Sequence, residues 1–211
     1  MGKYKMMRSK FSRVFVIVLS IFLVIGVVFT AYAGRAYHIK TKGVYLKPSQ
    51  DFEIHDVQHF LQNDPEWGSD LIGNSMSSLA GAGCLVACAA SAATDLGIPV
   101  TPGEFNAKMT AVSGYQGNML IWHRIKDALP GIDYKYTRIP SSTTIEKDLK
   151  SGRLPIINVK YMGSGVTHWV LVVGAKDGEF LVYDPLNIDK EPIALSTHGK
   201  VFAYRVLVRE S

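Results

Sequence analysis

What most constrains this chain is an uncharged apolar run of twenty residues, Val14 to Ala33, in a sequence of 211. At about 1.5 Å per residue such a run, folded as an α-helix, matches the hydrocarbon thickness of a bilayer. A core helix of a globular domain carries a polar stripe, and this run has none, so it reads as a membrane-targeting segment. Lys3, Lys5, Arg8, Lys10 and Arg13 precede it, and a short basic N-terminus favours a cytoplasmic start with the rest of the chain exported. Ala31-Tyr32-Ala33 has the small-x-small form of a signal-peptidase site. Two locations follow: the cell membrane with the domain outside the cytoplasm, or secretion after cleavage at Ala33.

The run also explains the charge. The chain is formally +5, but nine of its 23 Lys and Arg and none of its 18 acids lie before Asp51. Fourteen bases against eighteen acids remain, a net of −4. A mildly acidic folded part is not the footprint of a nucleic-acid binder, and no nucleic-acid partner is expected. The chain divides into a signal or anchor over 1–33, a basic tether without hydrophobic period over 34–50, and one domain over 51–211.

Within the domain the period of the apolar residues changes. A helix is predicted from about Gly83 to Leu96, stopped by Gly97. Thr101-Pro-Gly-Glu104 is a capping box with proline at the first helical position, which starts a second helix over 102–110. Asn118 is placed to cap a third over 119–129, and a fourth spans 142–150. After Arg153 the pattern is that of strands, at 154–161, 168–175, 179–183 and 200–208, with a further strand at 132–139. Lys176-Asp-Gly178 reads as a hairpin turn between two of them. Helices first and strands later predict an α+β domain, its N-terminal helices packed on a C-terminal antiparallel sheet.

Gly81-Ala-Gly-Cys84-Leu-Val-Ala-Cys88 puts a cysteine at the first turn of the predicted helix. Unpaired amides and the dipole at a helix N-terminus favour a thiolate there. Cys88 falls one turn deeper among alanines, where burial disfavours the charged form. Side-chain directions on a helix make a bridge between them strained, so both are read as free thiols. His168 opens an otherwise apolar strand after Gly163-Ser164-Gly165, and alone it reads more often as a structural core histidine than as a catalytic one. Asp184, before Pro185, ends the next strand, where a hairpin would bring it opposite His168; alone it reads equally as a turn residue. Together Cys84, His168 and Asp184 supply a nucleophile, a base and a carboxylate that orients the base. Gln62 offers a side-chain amide for the developing oxyanion, beside the backbone N–H of Cys84.

Gln62-x-Asp-Pro-x-Trp67, Ala82-Gly-Cys84-Leu-Val, His168-Trp-Val-x-Val-Val-Gly174 and Asp184-Pro185, in this order, resemble the C39-like peptidase domains, a branch of stand-alone bacterial cysteine peptidases. The resemblance runs from about Phe52 to Val208. It implies a papain-like fold, Cys84 as nucleophile, His168 as base, Asp184 as orienting acid, Gln62 as oxyanion donor, and no cofactor or metal. The implied partner is a peptide or protein substrate cleaved at a peptide or isopeptide bond. The Gln62-to-Cys84 separation is longer than in bacteriocin-processing members, and no ATPase region lies within these residues, so cleavage of a double-glycine leader is not implied. Three rivals stand beside the peptidase: a transglutaminase-like acyltransferase with the same residue types, an inactive papain-like module binding peptide or cell wall, and a metal site from Cys84, Cys88 and His168.

Overall fold

The structure, a computed structural model, describes residues 2–189 and 191–210, with residues 2–13 described by backbone alone. A helix α1, Gly2–Lys42, contains the apolar run. The large apolar side chains from Val14 to Phe29 are all exposed. The remainder combines helices α2 (Leu79–Ala82), α3 (Cys84–Asp95), α4 (Pro102–Ala111), α5 (Ile125–Ala128) and α6 (Ser142–Leu149) with strands. A two-stranded ribbon pairs β1 (Tyr115–Gln116) with β2 (Met119–Leu120). Six more strands, β3 (Ile132–Thr137), β4 (Pro155–Lys160), β5 (Thr167–Lys176), β6 (Glu179–Tyr183), β7 (Ile193–Ala194) and β8 (Ala203–Arg209), form an antiparallel sheet in the order β3-β8-β4-β5-β6-β7.

Helix and antiparallel sheet are therefore mixed as expected, with β3 ahead of α6 as the sequence placed it and the ribbon β1–β2 added among the helices. The alanines explain why α3 lies on β5: Ala87, Ala89, Ala90 and Ala93 are fully buried and let the helix axis approach the sheet closely. Strand β5 is apolar at every position from Val170 to Ala175 because the strand is buried on both faces. At Gly174 a Cβ would sit 2.6 Å from the carbonyl of Glu53, so only glycine lets the incoming chain pack there. That chain bonds Phe52 to Ala175 and His55 to Val173 beside a bulge in β5.

Two expectations are corrected. The tether over 34–50 is ordered in its first half: the helix continues to Lys42, Ile39 is buried, Gly43 turns the chain at φ +67°, and Val44 bridges Val201, with irregular chain only beyond it. Basic, aperiodic sequence concealed this because its partners lie at the other end of the chain. The long helix over 119–129 is broken into β2, a 3₁₀ turn at Trp122–Arg124 and the single turn α5. Gly117 at φ +62° turns the ribbon, Ile121 is extended, and Asn118 reaches Ser77 instead of capping a helix.

Candidate active site

Local chemistry builds the start of α3. Ser78 caps α2, its hydroxyl accepting from Gly81 N–H at 3.2 Å, and Gly83 joins the two helices with its N–H on the Leu79 carbonyl. A Cβ on Gly83 would come within 2.5 Å of that carbonyl, so the tight junction requires glycine. Cys84 is thereby the first residue of α3, with an amide that has no acceptor one turn back.

The β5–β6 hairpin brings the next two residues together. Asp177 and Gly178 take left-handed conformations at φ 54° and 77°, which suits a two-residue turn whose twist matches the strands. The register sets Leu171 opposite Tyr183, so His168 at the strand entrance and Asp184 at the neighbour's exit end side by side. His168 Nε2 is 2.6 Å from Asp184 Oδ1, with both side chains buried. Asn158 fixes the strand entrance by donating to the His168 carbonyl at 2.9 Å. Asp184 Oδ1 also accepts from the Leu186 amide at 2.8 Å.

With Nε2 committed to Asp184, Nδ1 is the ring nitrogen left to interact with the Cys84 thiol. Burial works against the charged imidazolium, but hydrogen bonds with Asp184 and Cys84 and the nearby negative charge outweigh it and raise His168 to about 9. Burial works likewise against the Asp184 carboxylate, yet hydrogen bonds from His168 and His198 hold it well below the usual carboxylate range. Cys88, fully enclosed, is pushed well up by burial and by the neighbouring negative groups, and its thiol donates to the Trp169 carbonyl at 3.5 Å.

Gln62 is buried and tied to the same assembly. Its backbone N–H bonds the Pro185 carbonyl, and its side-chain amide donates to the Ala80 carbonyl at 2.8 Å, four residues before Cys84. Its Oε1 is buried without a hydrogen-bond partner. The segment is held again at His59, whose Nε2 donates to the Asp184 carbonyl at 2.8 Å while its ring stacks on Tyr183.

One residue here was not foreseen. His198, fully buried, brings Nε2 to 3.3 Å from Asp184 Oδ2, and its Nδ1 accepts from the Met162 N–H at 3.2 Å. An accepting Nδ1 fixes the tautomer that carries its proton on Nε2, facing the carboxylate. Both histidines contact the Tyr161 ring. The only sequence signal was a histidine in a turn-rich stretch after β7, which nothing local distinguishes from an exposed one.

The site thus joins a thiol at a helix N-terminus, an imidazole with one nitrogen toward that thiol, and a carboxylate held by two histidines. No family model and no curated protein matches the chain. Among solved structures, a Bacillus anthracis protein provisionally described as a C39-like peptidase matches with a TM-score of 0.55 and 14% sequence identity, over 77% of this chain and 100% of that one. At that identity the likeness is one of fold, and it agrees with the fold to which the sequence motifs pointed.

Proposed function

We propose that the chain is a membrane-anchored, papain-like cysteine peptidase or related thiol amidase that cleaves a peptide or isopeptide bond outside the cytoplasm. The observation that carries this reading is the 2.6 Å contact of His168 Nε2 with Asp184 Oδ1, which turns the other ring nitrogen toward a cysteine at a helix N-terminus. The Cys84 thiolate attacks the scissile carbonyl carbon, and the charge that develops on oxygen is met by the Cys84 backbone N–H and the second amide hydrogen of Gln62. The His168 imidazolium gives its proton to the leaving nitrogen as the C–N bond breaks. In the second half, His168 takes a proton from water, which attacks the thioester and releases the acid. Asp184 keeps the imidazole in orientation throughout.

Residues 1–33 act as the anchor in this reading and 51–211 as the catalytic domain. Exposure of every large apolar side chain from Val14 to Phe29 supports a bilayer around that segment. Continuity of α1 past Ala33 to the buried Ile39 favours retention over cleavage, because cleavage would cut a helix whose last turns pack on the domain.

The test is to incubate the full chain in detergent with a peptide library and read products by mass spectrometry, with and without an added primary amine. Hydrolysis products that vanish with Cys84→Ser support the peptidase. Amine-linked products in place of acids would make it an acyltransferase, and no product from either would leave a binding module.

A further inference from the structure

A cleft of about 720 Å³ lies where α1 meets the outer strands of the sheet, away from the hydrogen-bonded site. Along α1 its lining passes from Phe29 and Tyr32, at the end of the apolar run, to Lys40 two turns further on. On the domain side it is lined by Trp122, Tyr136, Arg138 and Arg205. Along α1 the cleft is therefore apolar and aromatic at one end and basic at the other, its domain side combines aromatic and basic side chains, and no acidic residue lines it.

Arg205 is the informative group. Its guanidinium lies between two aromatic rings, 5.5 Å from the Trp122 centroid and 5.1 Å from that of Tyr136. Nη1 donates to the Tyr204 carbonyl, whereas Nε is buried with no hydrogen-bond partner. Among the described residues no carboxylate lies within ion-pair distance of Arg205, Arg138 or Lys40. A half-buried cation without a counter-charge is costly, and burial pulls the Arg205 pKa down accordingly. The aromatic sandwich holds the planar fork in one orientation, which suits a tetrahedral oxyanion.

We propose that this cleft binds the headgroup phosphate of an anionic phospholipid, its acyl chains running along α1 toward Phe29. The inference rests on reading α1 as membrane-spanning. That reading puts Ala33 at the edge of the hydrocarbon, so Lys40, about 10 Å further along the helix, falls at headgroup level and Phe29 within the acyl region. The polarity gradient along the α1 wall of the cleft thus has the direction of a lipid molecule seated beside the helix. Two basic side chains from different elements, Lys40 and Arg138, line the same cleft as the oriented Arg205, giving a phosphate more than one donor.

The full chain is solubilised in a non-ionic detergent and titrated with equal amounts of phosphatidylglycerol and phosphatidylcholine, with retained lipid counted by native mass spectrometry. The wild type should retain one phosphatidylglycerol with a preference of about tenfold, and Lys40→Gln combined with Arg138→Gln should bring the preference close to unity. Equal retention of both lipids, or a preference unchanged in the double variant, overturns the proposal. A third arm adds inorganic phosphate: displacement of the lipid by millimolar phosphate would assign the site to a soluble anion and also overturn it. Carbonate-resistant flotation of the chain with phosphatidylcholine vesicles reports the span separately. Flotation without lipid preference rejects the cleft alone, and failure to float rejects the span beneath it.

Discussion

Cys84 and Cys88 lie one turn apart on the same helix, yet their surroundings are opposite. Cys84 heads α3 against the charged edge of the sheet, close enough to His168 to raise the imidazole's pKa and with the helix N-terminus behind it. Cys88 is enclosed by alanines and the β5 backbone, its thiol on a carbonyl and its ionisation suppressed. A difference of four residues decides whether a thiol meets an imidazole or a main-chain acceptor. In the proposed reading, what separates a nucleophilic cysteine from a packing one is which end of the helix meets the strand ends, where unpaired backbone and titratable side chains gather.

The sharpest way to break this contrast is substitution at each cysteine. Cys84→Ala should lower turnover by about 10⁴-fold or more and leave the melting temperature nearly unchanged. Cys88→Ala should keep most activity and lose about 1 kcal/mol of stability by denaturant titration. Iodoacetamide at mildly acidic pH should modify Cys84 and spare Cys88, as read by peptide mapping; a faster Cys88 would reverse the assignment of the nucleophile.

Next in size is the partner of the imidazole. Asp184→Asn should lower kcat by about 10² to 10⁴-fold, with Gln62 and the helix terminus still in place. It should also move the alkaline limb of the kcat/KM profile downward in pH, because the carboxylate helps raise His168 to about 9. The effect on stability has a definite sign. A His168 pKa above its ordinary 6.5 adds stability in full below about 6.5, and that contribution disappears as pH rises through about 9. Asp184, held below its ordinary 3.8, adds stability above that value and loses it as pH falls. Thermal melts of wild type and Asp184→Asn should therefore converge at both extremes of pH and differ most between them.

The smallest expected effect belongs to His198. His198→Gln removes the long Nε2 contact with Asp184 and should change kcat less than tenfold and stability by about 1 kcal/mol. Asp184 would titrate closer to its ordinary value, so the acid-unfolding midpoint should move to higher pH. An unchanged midpoint would mean that His198 only fills space and does not hold the carboxylate.

Much of the fold was legible because its signals are local. The capping box is formed as written, with the Thr101 hydroxyl accepting from Glu104 N–H and the Glu104 carboxylate from Thr101 N–H. The Asp177-Gly178 turn needs two left-handed residues and has them. The start of α3 at Cys84 follows from Gly83, and β6 from the apolar run that the hairpin turn precedes. Each of these depends on residues within about four positions, so sequence alone decided them. The hairpin, being local, also carried the pairing of His168 with Asp184.

The tertiary structure decided what depends on distant chain. Basic composition over 34–50 gave no hint that Ile39 would be buried or that Val44 would pair with Val201, because that partner is more than 150 residues away. The helical period over 119–129 was overridden where Trp122 packs against Tyr134 and Trp169 on the sheet. His198 reaches Asp184 only because β7 pairs with β6 and the following 3₁₀ turn folds back beneath the carboxylate. Caps and tight turns are set by the chain's own short-range hydrogen bonds, whereas a buried carboxylate takes its second partner from whichever element the closed sheet brings near.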